Sequence, residues 1–454
     1  MDNAEANQVS GTRREFLKTT ATAVASVGLA GSLASRVHAA GDDTLKIALV
    51  GCGSRGTGAA VQALSTKGAV QLWAVADTFE DRIEPFLTHV SRELATAANG
   101  EAANAKQAEV PKERQFVGLD AYRQAIDSEA DVIILTEPPG YRPLHFEYAV
   151  KAGKHVFMEK PVATDPAGVR RVLAAAEEAK KKNLKIGVGL QRRHQPSYTE
   201  AIERIHNGEI GDLITLRCYW NGGGPAKTPY PRGKLSELEY QVRNWYFFTW
   251  LSGDHIVEQH VHNLDVCNWI KDAHPVEAQG MGGRQVRTGK EFGNIFDHHA
   301  VEFTYADGSK MFSQCRQITG CGSQVAEFAH GTRGTMNLDA QHAELVIGDD
   351  RKWRVSGGQK GYKNNAYQVE HDALFAAIRN DTPYNEAVYG AMSTMTGILG
   401  RMATYCGQKV KWDTAFNLTE PLTVDDETWT AAAPVKADAE GRYAIAIPGV
   451  TRFA

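Results

Sequence analysis

A lysine stands between a glutamate and a proline in Met158-Glu159-Lys160-Pro161, directly after the apolar run His155-Val156-Phe157-Met158. An ammonium at the end of such a strand can hold a substrate hydroxyl and favour negative charge on its oxygen. Roughly a hundred residues earlier, Gly51-Cys52-Gly53-Ser54-Arg55-Gly56 has the G-x-G-x-x-G spacing of a dinucleotide loop. Gly51 permits the tight turn, Gly53 lets backbone approach a pyrophosphate, and Gly56 allows close helix packing. Ser54 and Arg55 sit where a helix N-terminus faces the phosphates. Further on, Glu258 and His262 are four residues apart, which on one helix places both on one face. A histidine titrates near neutrality, so His262 can accept or return a proton. Glu258 can orient His262, act as base, or reach another substrate atom. Lys160, His262 and Glu258 are the candidate catalytic groups, and the chemistry they suit is hydride transfer at a CH–OH carbon.

The elements that must position these groups alternate. Leu45-Lys-Ile-Ala-Leu-Val50 reads as a strand running into the glycine loop, and residues 57–64 as the helix after it. Gln71-Leu-Trp-Ala-Val-Ala76 is a second strand ending at Asp77, about 20 residues past the last glycine, where an acid can bind ribose hydroxyls. A carboxylate there repels a 2′-phosphate and favours NAD over NADP, although Arg82 lies close by. The strand Asp131–Thr136, a helix from 144 to 152, the strand before Lys160, a helix capped by Asp165 and the strand Ile186–Leu190 follow. Alternating apolar strands and helices predict a doubly wound parallel sheet. Glu137, Pro138 and His145, placed after the third of these strands, join Glu159, Lys160 and Pro161 as candidate cofactor-binding residues.

After Gln191 the pattern changes to period-two strands around turns such as Ala306-Asp307-Gly308, which predicts a second, α+β domain with a large open mixed or antiparallel sheet. Residues 221–244 are rich in Gly, Pro and charge and read as a long loop of the kind that forms lids. Trp220, Trp245, Tyr246, Trp250 and Trp269 crowd the same stretch, and aromatic faces suit sugar rings as well as ordinary packing. Arg192, Trp245, Tyr246 and His255 are the candidate substrate contacts. His255, Glu258 and His262 share a helical face, but H-x-x-E-x-x-x-H matches no recognised ligand motif, so no metal is expected.

The chain has 454 residues, 43% hydrophobic and 23% charged, enough for two globular domains. A net charge of −4 with no basic block beyond Lys180-Lys181-Lys182 argues against nucleic acid as partner. Six scattered cysteines form no C-x-x-C, and although Cys315 and Cys321 can be imagined bridging, there is no disulfide framework. Thr12-Arg13-Arg14-Glu15-Phe16-Leu17-Lys18, a weakly apolar run from Ala21 to Leu33 and Val37-His38-Ala39 read as a twin-arginine export signal with a small-residue cleavage site. That run is too short to be a stable membrane span. The expected organisation is a signal at 1–40, a dinucleotide-binding domain at 44–191, a substrate and oligomerisation domain at 192–420 and a tail at 421–454. Export through the twin-arginine route, to the periplasm or beyond, carries folded proteins, so a cofactor inserted before export can travel with the enzyme.

Taken together, the glycine loop, the Glu-Lys-Pro turn and Glu258-Gln-His-Val-His262-Asn-Leu-Asp265 resemble the Gfo/Idh/MocA family of glucose-fructose oxidoreductases and inositol dehydrogenases. The resemblance runs from about residue 45 to about residue 331, and more loosely beyond. It implies that Lys160 hydrogen-bonds the substrate hydroxyl, and that Glu159 and Pro161 shape the nicotinamide pocket, where some X-Pro bonds are cis. It also implies a homodimer or homotetramer built on the exposed face of the second sheet. The family pattern has an aspartate where this chain has Glu258. The expected activity is NAD-dependent oxidation of a sugar or polyol hydroxyl, in a closed redox cycle with the cofactor retained. One rival is a glycosidase that uses bound NAD to oxidise, eliminate and re-reduce. Another is a sugar-binding protein with a relic cofactor site.

Overall fold

Six strands, apolar but for Lys46, Gln71, Asp77, Gln115 and His155, build the first sheet of the computed structural model. The model describes residues 44–97, 105–224, 227–357, 359–360, 365–423 and 427–452. The expected export signal lies outside the described residues. In chain order the first elements are β1 (Leu45–Val50), α1 (Ser54–Leu64), β2 (Val70–Asp77), α2 (Ile83–Ala97), β3 (Gln115–Val117), α3 (Ala121–Asp127) and β4 (Val132–Leu135). Then come α4 (Arg142–Lys151), β5 (His155–Met158), α5 (Pro166–Lys181) and β6 (Ile186–Val188). The strands are all parallel, in the order β3-β2-β1-β4-β5-β6. The order reverses at β1, so the crevice beyond its carboxyl end is the topological switch point where such sheets bind ligands. Successive residues of β1 divide between two cores: Ile47 and Leu49 join one, Ala48 and Val50 the other. A strand buried on both faces needs that unbroken apolar run. Asp165 starts α5 as its sequence suggests, its Oδ1 accepting from the Gly168 N–H at 2.7 Å.

The second layer begins with α6 (Pro196–His206) and β7 (Leu213–Gly222), followed by four helices: α7 (Glu237–Arg243), α8 (Thr249–Ser252), α9 (His255–Glu258) and α10 (Val261–Lys271). The strands β8 (Glu277–Gly283), β9 (His298–Thr304), β10 (Lys310–Gln317), β11 (Gln324–Gly331), β12 (Gly334–Asp339), β13 (His342–Ile347) and β14 (Asp350–Ser356) follow. Helices α11 (Ala366–Arg379) and α12 (Ala387–Cys406) and the two-residue β15 (Val410–Lys411) come after them. The nine strands order as β14-β13-β12-β11-β7-β10-β9-β8-β15, antiparallel except for the β7–β10 pair. Two predicted features change. Residues 221–244 are not all loop, because β7 extends to Gly222 and Ser236 caps α7 by accepting from the Glu239 N–H at 3.2 Å. The helix expected to carry both Glu258 and His262 is also interrupted: α9 ends at Glu258 and α10 starts at Val261.

Helix α12 packs on α5, α10, β8 and β9, while α11 packs on α1, so both late helices return to the first sheet. One apolar core therefore continues from Val50 and Ile133 through Met395 and Ile398 to Phe303 and Met311. It fixes the two sheets against each other and sets the width of the cleft between them. All six cysteines are free thiols. No helix among the described residues is long and apolar enough to cross a membrane.

Candidate active site

The cleft beyond β1 holds a cavity of about 680 Å³, lined from the first sheet by the glycine loop, Asp77, Glu137 and Lys160 and from the second layer by Tyr246, Glu258 and His262. The loop's three glycines have different physical reasons. Gly51 has φ +98°, and a Cβ there would meet the Glu137 backbone nitrogen at 2.7 Å. A Cβ on Gly56 would strike the Gly51 oxygen at 2.1 Å, so α1 can approach the loop only without a side chain. Gly53 is the N-cap of α1, and a Cβ there would meet nothing within 4 Å. It borders open space at the positive end of an 11-residue helix whose first turn has no acid, which is what a pyrophosphate requires.

Asp77 ends β2 and ties the loop down: Oδ2 accepts from the Cys52 N–H at 2.7 Å and Oδ1 from the Phe79 N–H at 2.9 Å. Burial raises its pKa, and these two backbone donors oppose that rise. Each oxygen keeps a further lone pair for a ribose hydroxyl. Arg82 lines the same end of the cavity. Arg55 lines it too, but its Nε donates to Glu159 Oε1 at 2.5 Å and its guanidinium lies 5.0 Å from the Tyr367 ring centre, so its charge is already matched. Glu137, Pro138, Ser54 and His145 are on the wall. His145 stacks on Tyr122 with ring centres 3.8 Å apart. Gly56 and Pro161 lie behind the wall rather than on it. The Lys160–Pro161 bond is cis.

Lys160 Nζ donates to the Glu258 backbone oxygen at 2.6 Å and to Glu258 Oε1 at 3.1 Å. Although the helix breaks between them, Glu258 and His262 both reach the cavity. His262 is 6% exposed. Burial, reinforced by the charges of Lys160, Arg192 and Arg55, holds it well below the ordinary histidine value. It is therefore neutral near pH 7, and its Nδ1 has no hydrogen-bond partner among the described residues. Trp220 stacks over it, ring centres 5.8 Å apart. A neutral imidazole and an ammonium on one wall can divide the work of deprotonating a hydroxyl. In that division the imidazole would take the proton and the ammonium would steady the oxygen.

Trp245 and Tyr246 line the cavity; Arg192 and His255, the other two expected substrate contacts, do not. Arg192 is buried against Glu327, which also accepts from Tyr198 Oη at 3.0 Å and Asn263 Nδ2 at 2.5 Å. A guanidinium that close to a strand carboxylate is drawn into the second sheet instead of the cleft. His255 is fully buried beside Asp254, because the turn before α9 aims it into the core.

Several wall residues escape sequence reasoning, among them Tyr141, Lys227, Tyr230, Arg243 and Gln259. Arg142 is the most instructive. It is buried at the first turn of α4 and donates to the carbonyls of both Glu137 and Pro161, holding the two cofactor-side turns together. A cation at a helix N-terminus opposes the dipole, and that mismatch was the available signal.

The NAD-binding Rossmann-fold model of the GFO/IDH/MocA oxidoreductase family matches residues 45–188, and the GFO/IDH/MocA C-terminal domain matches residues 198–337. Inositol 2-dehydrogenase of Rubrobacter xylanophilus is 25% identical over 294 residues, 64% of this chain and 75% of that protein. The NAD(+)-dependent scyllo-inositol 2-dehydrogenase of Bacillus subtilis is 22% identical over 303 residues, 65% of this chain and 81% of its own. Among solved structures, aldose-aldose oxidoreductase from Caulobacter crescentus, complexed with glycerol, superposes with a TM-score of 0.61 at 19% identity. The match covers 81% of this chain and 99% of that one. At that identity the likeness is one of fold.

Proposed function

Because the chain belongs to the GFO/IDH/MocA family of NAD-binding oxidoreductases, we propose that it oxidises a hydroxyl of a sugar or polyol and keeps its cofactor through repeated turnovers outside the cytoplasm. The observation that carries this reading is the convergence of Lys160, Glu258 and His262 on the cavity that the glycine loop borders. Inositol dehydrogenases among the relatives support the substrate class, as do Trp245 and Tyr246 on the wall.

The residues present fit the dinucleotide. The glycine loop and the α1 N-terminus would hold its pyrophosphate, Asp77 a ribose, and Glu159 with the Lys160–Pro161 turn its nicotinamide end. When bound, NAD supplies the acceptor for a hydride leaving the substrate carbon. Lys160 orients the substrate hydroxyl and His262 takes its proton as the carbonyl forms. Glu258 holds Lys160 in place through its carbonyl and Oε1. His262 would hand its proton back to a second carbonyl that the retained cofactor would reduce, so no external nicotinamide would be consumed. The twin-arginine-like sequence at residues 12–39 favours this closed cycle, since an enzyme exported by it would meet no soluble nicotinamide pool.

One face of the second sheet supports a homo-oligomer. Met281, 78% exposed, and Phe312, 44% exposed, lie on its open side with Arg217 and Phe328.

The deciding experiment gives the purified protein pairs of sugars or polyols, and aryl glycosides, with no added cofactor. Many turnovers per chain, with NAD(H) recovered from denatured protein, are expected. A stoichiometric requirement for added NAD would remove the closed cycle, and inactivity on every polyol and sugar with NAD supplied would remove the substrate class.

A further inference from the structure

Away from the cavity wall, Asp254, His255 and His299 are buried together, and one ligand atom from each lies within 4.8 Å of the others. Asp254 precedes α9 with φ +71°, a left-handed value that a non-glycine residue adopts only when its surroundings enforce it. His255 opens α9 and His299 is on β9.

Hydrogen bonds around the cluster leave it incomplete. Thr404 Oγ1 donates to the Arg401 carbonyl at 2.9 Å, so its oxygen accepts from His299 Nδ1 at 2.9 Å. With the hydroxyl proton so placed, the His299 proton sits on Nδ1 and a bare Nε2 lone pair turns toward Asp254 Oδ2 at 3.3 Å. The same carboxylate oxygen already accepts from the Phe296 N–H at 2.8 Å and Tyr405 Oη at 2.6 Å. Acceptor thus faces acceptor in the interior. His255 Nδ1 lies 2.9 Å from Asp254 Oδ1, and Nε2 of neither histidine has a hydrogen-bond partner among the described residues. Such buried, unmatched nitrogens are costly.

We propose that Asp254, His255 and His299 bind a divalent transition metal of the zinc class as a structural ion. Two imidazoles and a carboxylate are a ligand set that zinc takes with bonds of about 2.0–2.2 Å. The 3.3 Å separation of His299 Nε2 from Asp254 Oδ2 matches one edge of such a coordination shell. The Thr404 hydroxyl on His299 Nδ1 is the outer partner that orients a ligating imidazole. None of the three residues lines the catalytic cavity. The ion ties the first turn of α9, three residues before Glu258, to β9 and, through Thr404 and Tyr405, to α12.

Elemental mass spectrometry of the full-length protein, purified without chelator, is expected to find about one transition-metal ion per chain. Stripping with a strong chelator should lower Tm, and zinc should restore it. Cobalt(II) added to the stripped protein should give the visible absorption of a low-coordinate histidine site. His299→Gln and His255→Gln should each lose the metal; if either fails to fold, the cobalt spectrum of the wild-type chain decides. A folded, metal-free protein whose Tm ignores both chelator and zinc and which gives no cobalt spectrum overturns the proposal. So does metal retained at full stoichiometry in both variants.

Discussion

Lys160 reaches across the cleft to the end of α9, where its Nζ takes the Glu258 backbone oxygen at 2.6 Å and Glu258 Oε1 at 3.1 Å. The carbonyl at the end of an interrupted helix thus finds its donor in the other layer, and the ammonium is fixed beside the cavity. Glu258 has its side chain on the lysine rather than on His262, which makes it a positioning residue in this structure.

Lys160→Ala should therefore cut kcat by about 10²-fold or more, through lost stabilisation of the reacting oxygen. Cofactor affinity should change little. Glu258→Gln keeps an acceptor for Nζ and should cost less, on the order of 10-fold. Steady-state kinetics beside NADH-binding fluorescence measure the two effects separately. Turnover in Lys160→Ala within a few fold of wild type would remove the lysine from the mechanism.

The pH profile should report His262. A base must be neutral to work, and burial among cations holds this imidazole well below the ordinary value of 6.5. Activity should persist as pH falls through 6.5 and drop only below it, since protonation is what inactivates the group. His262→Asn should lose most of kcat and, in what remains, the acidic limb. An acidic limb at or above 6.5 in the wild type, or one unchanged in the variant, would contradict the assignment.

Two glycines three residues apart should separate binding from folding. Gly53→Val puts methyls into open space where a Cβ meets nothing within 4 Å. It should weaken NAD binding at least about 10-fold by blocking the pyrophosphate, while Tm stays put. Gly56→Ala drives a Cβ to 2.1 Å from the Gly51 oxygen and should destabilise the fold by about 1–3 kcal/mol. Calorimetry with and without NAD tests both. Equal losses of Tm in the two variants would mean that the loop has no open side.

Acid stability should carry the signature of His155. Its Nδ1 accepts from the Lys185 N–H at 2.9 Å, and burial with the Lys185 charge lowers it to about 4. The folded form is the worse proton binder, so the contribution is complete above 6.5 and is lost as pH falls from 6.5 toward 4. It is worth at most about 3 kcal/mol. His155→Gln, which keeps an acceptor without the titration, should flatten the slope of urea-unfolding free energy over that window. An unchanged slope would assign the acid sensitivity to other groups.

The local pattern of residues determined a good deal. A strand entering G-x-G-x-x-G, an acid at the end of the next strand and a lysine at the end of another are short-range facts. The apolar runs left little choice but a parallel sheet buried on both faces. Period-two strands after Gln191 likewise determined a second sheet, since alternation has meaning only with one face buried. Wherever a side chain's position follows from its own strand end, as for Asp77 and Lys160 on the cavity wall, sequence was enough to locate it.

Roles that depend on which distant group arrives first were decided by the tertiary structure. Arg192 was expected in the cleft and is instead held by Glu327, 135 residues away. His255 turns into the core because Asp254, anchored by Phe296 and Tyr405, fixes the turn before it. The helix expected to align Glu258 and His262 breaks between them, yet both reach the cavity because α10 is packed against α12 and β7. Helical spacing describes neighbours on one rod. It says nothing about two short rods whose angle is set by what they pack against, and burial and pairing energies across the fold outweigh local periodicity at these positions.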